Sequence, residues 1–138
     1  MNTILDDSRI APQVFLWNGR PNADHLYQRI AELGWTVPSD IVAFWIETGG
    51  GDVFETEELL CPTQQNYEDL TWPARQAGLP EDWVVFHIGW GTSVVRQSTV
   101  DFAVVEINTH RVRHVYRSFD EWYRRYLRAE YATRYGLK

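Results

Sequence analysis

Residues 83–122 read WVVFHIGWGTSVVRQSTVDFAVVEINTHRVRHVYRSFDEW, and this stretch decides the fold. Its runs 83–90, 93–97 and 100–108 are rich in Val, Phe, Ile and Trp, which suit a pleated, half-buried surface. Gly89 and Gly91 bracket Trp90 at the first turn. Asn108-Thr109-His110 make a later turn, and residues 111–116 read as a fourth strand. Short turns between successive strands imply an antiparallel meander, because parallel neighbours need a long crossover. Ser118-Phe119-Asp120-Glu121 then forms a capping box. The Ser hydroxyl meets the third helical N–H, and Glu121 reaches back to the cap. The helix it opens places Phe119, Trp122, Tyr123, Tyr126, Leu127 and Tyr131 on one face, with Arg124, Arg125 and Arg128 on the other.

Upstream of this stretch the pattern is helical. Asn22 can cap a helix on which Leu26, Tyr27, Ile30 and Leu33 follow 3.6-residue spacing, and Gly34 is a natural stop. Pro38 suits the first turn of a second helix, where Ile41, Phe44, Trp45 and Thr48 line one face. Gly49-Gly50-Gly51 ends it. Val53-Phe54 and Leu59-Leu60 read as short strands, and 66–78 as a helix whose length Pro73 limits. Residues 1–21 read as a loose arm in which 14–17 are either an edge strand or a segment that packs across the core, 22–131 as the core and 132–138 as a tail. Helices, then strands, then a helix indicate an α+β class: a twisted, mainly antiparallel sheet with N-terminal helices and a C-terminal amphipathic helix packed on it.

The chain has 138 residues, enough for one domain that buries its own core. No apolar run approaches the ~20 residues of a membrane helix. The N-terminus lacks a basic region followed by an apolar stretch, so the expected location is the cytoplasm. The net charge is −6 and uneven: residues 1–69 hold twelve acids against three Arg, and 70–138 hold seven acids against ten bases. A negative chain repels phosphate, which argues against direct nucleic-acid binding, and its acidic half favours basic protein partners.

Candidate chemistry is sparse. Cys61 is the single cysteine, so there is no internal disulfide and no cysteine-rich zinc module. His110 and His114 are four apart, but on a strand that separates the rings by roughly 13 Å, too far for one metal. No metal and no cofactor is expected. His87, with Asp101 or Glu106 from neighbouring strands, is the one conceivable acid/base cluster, the basis of a weaker alternative as a small hydrolase. Gly49-Gly50-Gly51 and Gly89-Trp90-Gly91 lack the phosphate-loop form. Glu47, Asp52, Glu55, Glu57 and Glu58 form the densest acidic cluster, and Trp90 sits in a glycine-flanked turn where an aromatic can anchor a partner.

The order of these signals carries a resemblance. Glu32-Leu33-Gly34-Trp35-Thr36-Val37-Pro38-Ser39-Asp40-Ile41-Val42-Ala43-Phe44-Trp45 leads into Thr48-Gly49-Gly50-Gly51. A Leu79-Pro80 turn precedes Trp83-Val84-Val85-Phe86, and Arg117-Ser118-Phe119-Asp120-Glu121-Trp122 opens the last helix. Over roughly 23–131 this resembles the SUKH superfamily, which includes the fungal cell-wall-synthesis regulator and the bacterial Syd protein. Thr48 stands where Asn often precedes the glycine pair, and Gly89-Trp90-Gly91 replaces a Gly-Asp step common in that family.

The resemblance implies an α+β fold and no catalytic residues. It also implies an immunity protein that binds and neutralises a bacterial toxin, such as a nuclease. A basic toxin suits the acidic residues Glu47, Asp52, Glu55, Glu57 and Glu58, with Trp90 as anchor. The alternative implied by the same resemblance is a regulatory adaptor that binds a cellular protein.

Overall fold

The computed structural model describes residues 2–138 and shows an α+β fold. Seven strands form one antiparallel sheet in which each strand pairs with the next in sequence. They are β1 (Phe15–Trp17), β2 (Gly51–Val53), β3 (Glu57–Leu59), β4 (Trp83–Ile88), β5 (Thr92–Arg96), β6 (Asp101–Val105) and β7 (Val112–Tyr116). The meander read from 83–116 is therefore β4–β7, and β1 lies at the opposite edge. The β2–β3, β4–β5 and β6–β7 turns all fall at one end of the sheet.

The helices are α1 (Thr3–Ile10), α2 (Ala23–Leu33), α3 (Ser39–Thr48), α4 (Tyr67–Gln76), α5 (Phe119–Trp122) and α6 (Arg128–Tyr131). A π-helical turn, Tyr123–Leu127, joins α5 to α6. Val84, Phe86, Val95 and Phe102 cover one sheet face and pack with Ile4, Phe44, Trp45, Phe119 and Trp122 from the helices. Val85, Val94 and Ala103 cover the other face beneath Tyr67 and Ala74 of α4. Alternation along each strand thus feeds two helical layers. Truncating a core side chain as large as Trp122 costs about 3–5 kcal/mol.

Local signals explain most boundaries. Asn22 Oδ1 accepts the His25 N–H at 3.0 Å, and Gly34 closes α2 in the left-handed conformation. Tyr27, expected on the buried face, is exposed. Gly49 caps α3 at a φ of 70°. A Cβ on Gly50 would meet the Leu59 carbonyl, and one on Gly51 the Leu16 carbonyl. The glycine run therefore both stops the helix and lets β1 and β3 close on either side of β2.

Three expectations need correction. Residues 1–21 are not a loose arm, because α1 is pinned by contacts far along the chain. Asp7, buried, accepts the Tyr123 hydroxyl at 2.6 Å and Arg128 Nε at 2.7 Å, and Asp120 accepts the Thr3 N–H at 2.8 Å. Arg128 accordingly leaves the outer face of the last helix. α4 falls within the expected 66–78 with Pro73 inside it, and Tyr67 before the proline and Ala74 after it both pack on the sheet. The tail folds back, burying Leu137, and Arg128 donates to the Lys138 carbonyl at 2.7 Å. Ser118 Oγ accepts the Glu121 N–H at 3.0 Å as expected, but Glu121 takes the N–H of Arg117, one residue before the cap.

Candidate partner-binding site

The end of the sheet that carries the β2–β3 and β4–β5 turns is built around Glu57. Sequence reasoning put Glu57 in a solvated acidic surface, but it is 1% exposed. Its neighbours on β3 explain this. Leu59 faces the helical layer, and strand alternation turns Glu57 the same way, with Glu58 outward. Glu57 Oε1 accepts His87 Nε2–H at 2.8 Å, and Oε2 accepts the Tyr131 hydroxyl at 2.9 Å and the Thr56 hydroxyl at 2.9 Å. The Trp90 N–H lies 3.1 and 3.2 Å from the two oxygens. Burial alone would raise this carboxyl. The bond from His87, the attraction of that ring when it is charged, and the bonds from Trp90 and Tyr131 outweigh burial and hold the pKa at about 2.

His87 reaches Glu57 because of a β-bulge. The β4–β5 register shifts between Val85 and His87, so Phe86 and His87 both face the helices. Their rings lie 4.8 and 5.2 Å from Trp122. Burial pushes the His87 pKa down, opposed by Glu57. A neutral ring protonated at Nε2 satisfies every partner. Nε2–H donates to Glu57, Nδ1 accepts the Ser93 hydroxyl at 2.8 Å, and Ser93 Oγ accepts Trp122 Nε1–H at 3.0 Å.

This Ser93–His87–Glu57 chain has the residue types of a hydrolytic triad. All three side chains are buried and Ser93 Oγ is engaged on both sides, so the chain acts as a satisfied core network. The cluster expected of His87 with Asp101 or Glu106 does not form. Asp101 makes a two-point pair with Arg96 at 2.7 Å, and Glu106 pairs with Arg113 at 2.9 Å.

Trp90 caps the network from outside. It is 65% exposed, and one ring face stacks on Tyr126 of the π turn at 5.8 Å and 17°. Glycine is required on both sides. A Cβ on Gly89 would collide with the Glu57 carboxylate, and one on Gly91 would lie 2.6 Å from the Tyr126 hydroxyl. An open cleft of about 470 Å³ runs from this turn to the end of β6 and β7.

The remaining acids divide. Glu47 pairs with Arg20 at 2.6 Å near the end of α3. Asp52 and Glu58 face each other across β2 and β3 on the side away from α5, and among the described residues neither has an ion pair. Leu16 lies opposite Asp52 on the edge strand and is 60% exposed. Glu55 stands exposed in the β2–β3 turn at a φ of 68°. Asp52, Glu55, Glu58 and Trp90 thus share one end of the molecule, with Trp90 leaning to the helical side. Leu16 and Tyr126 were not recognisable as parts of this surface. The one local signal, the alternation of Leu16 between Phe15 and Trp17, does not say whether anything covers it.

Of the other histidines, His114 lines the cleft beside Trp90, its ring 6.3 Å from that of Tyr126. His110 Nε2–H donates to the Ala77 carbonyl at 2.8 Å, and His114 sits on exposed β7. Burial raises the Cys61 thiol, and its sulfur lies 3.1 Å from the Thr63 hydroxyl. Among the described residues no group of three or more His, Cys, Asp or Glu is placed to hold a metal ion, and no helix is long and apolar enough to cross a membrane. No protein-family model matches the chain, and no curated protein matches it significantly.

Proposed function

We propose that this chain is a non-catalytic binding protein, an immunity protein of the SUKH kind that neutralises a basic toxin, such as a nuclease, by direct contact in the cytoplasm. The observation that carries the reading is the Asp52–Glu58 pair. Two like charges directly opposite on neighbouring strands repel and cost stability. Here, among the described residues, neither pairs with a cation, and an exposed leucine, Leu16, stands beside them. A basic surface docking there would relieve the repulsion and cover the apolar side chain. Glu55 and Trp90 extend the same surface around the sheet end, whereas Glu57 supports it from inside.

The test is calorimetric titration of the purified chain with the protein encoded by the adjacent gene, at two salt concentrations. The expected result is tight binding that weakens with salt, and weakens again in Asp52→Lys with Glu58→Lys. No binding would remove the immunity reading for that protein and favour a regulatory adaptor. Tight binding indifferent to both salt and charge reversal would remove the acidic surface.

A further inference from the structure

We propose that Trp90 and the cleft beside it receive a basic side chain, Arg or Lys, projected by the partner. The inference rests on the reading of a basic partner and assigns the contact by which that partner is held.

Trp90 is exposed yet preorganised. Its N–H is held by the Glu57 carboxylate, and one ring face lies on Tyr126. The other face is open, and an indole face is the strongest side-chain platform for a cation. An exposed aromatic that is already immobile loses little freedom on binding.

The charge around it selects the sign of the occupant. Glu57 is ionised, while its partner His87 is kept neutral by burial. The carboxylate therefore has no formal counter-charge, and it lies within hydrogen-bond distance of the Trp90 backbone in a poorly screened interior. Arg113 lines the cleft, but Glu106 already holds it at 2.9 Å. The lining charges Glu106 and Arg113 balance, with His114 beside them, and Glu57 adds a buried negative charge behind the Trp90 turn. An anion would face Glu57 with no free lining Arg or Lys to meet it.

The cleft also offers a polar contact. Tyr126 is 9% exposed, and its hydroxyl has no hydrogen-bond partner among the described residues. It lies over Gly91 at the cleft, where a guanidinium or ammonium could donate to it. About 470 Å³ accommodates either group with its alkyl stem.

The experiment uses free probes, so it does not depend on knowing the partner. ¹⁵N-labelled full-length chain is titrated with N-acetyl-arginine amide and with its neutral isostere, N-acetyl-citrulline amide. The Trp90 indole resonance is assigned from the Trp90→Phe spectrum. Arginine should shift the Trp90 indole and the Gly89 and Gly91 amides, and citrulline should not. Trp90→Ala, which removes the ring from Tyr126 but keeps the backbone N–H bonds to Glu57, should abolish the Gly89 and Gly91 shifts, and Trp90→Phe should weaken binding about two- to fivefold. Equal shifts with citrulline, or none at this turn with arginine, would overturn the inference. If the partner protein binds while arginine leaves Trp90 unmoved, the inference fails and the immunity reading stands. If arginine binds at Trp90 but the partner does not bind, the reading of that partner fails alone.

Discussion

Glu57 and His87 share a hydrogen bond of 2.8 Å that is sealed from solvent at both ends. It joins β3 to β4, fixes the tautomer of the histidine, and so sets the direction of the Ser93 and Trp122 bonds behind it. In front of it the same carboxylate holds the Trp90 turn. The exposed Trp90 turn thus rests on a core interaction.

Glu57→Ala should be among the most destabilising single changes in the chain. It strips the acceptor from His87 Nε2–H, the Trp90 N–H and the Tyr131 hydroxyl together. Each buried donor left without its acceptor costs about 1–3 kcal/mol. Urea denaturation at neutral pH reads it directly, and a loss below about 1 kcal/mol would mean that the site relaxes around water.

Stability should fall on acidification in two stages with the same sign. His87 titrates lower in the fold than the ordinary 6.5, so below about pH 6.5 the unfolded chain takes a proton that the fold refuses. Glu57 is held at about 2 against an ordinary 4.5, so its contribution is complete above about pH 4.5 and drains away as pH falls toward 2. Asp101 and Asp120 are also lowered and add to the second stage. Urea midpoints at pH 7.5, 5.5 and 3.5 should decrease in that order. A midpoint unchanged from 7.5 to 5.5 would contradict a neutral buried His87.

Asp7→Ala should release α1. The change leaves Arg128 Nε and the Tyr123 hydroxyl without their shared acceptor, at a cost of about 3 kcal/mol. Hydrogen exchange should speed up over Thr3–Ile10 more than over β4–β6. Uniform acceleration would mean that α1 unfolds only with the whole domain.

Neutralising the surface pair should separate stability from binding. Asp52→Asn or Glu58→Gln removes a cross-strand repulsion and should stabilise the chain by about 0.2–1 kcal/mol while weakening a basic partner. Thermal denaturation checks the first effect and calorimetry the second. Destabilisation by either substitution would show that the pair is relieved in the free protein.

The meander was legible because it is made of local signals. Alternating β-branched residues and short turns mark β4–β7, and Ser118 marks the helix that follows. β2 and β3 were placed to within a few residues by Val53 and Leu59. α1 was missed because its anchor, Asp7, finds Tyr123 and Arg128 more than a hundred positions away. At the candidate site, Trp90 was identified from its glycine neighbours, and the structure supplies the reason for each glycine. Glu57 was grouped with Asp52, Glu55 and Glu58 by charge alone, since composition does not distinguish an acid that faces Leu59's side of a strand from one that faces water.

By itself the sequence determined the class, the order of elements and the sites of most caps and turns, because these follow from periodicity and from residues within one turn of each other. Only the tertiary structure decided which acids are buried, which side His87 faces and which ring supports Trp90. Each depends on a one-residue shift in strand register or on a contact between distant elements. A bulge at Phe86 turns His87 from one face of the sheet to the other without any mark in the composition of β4.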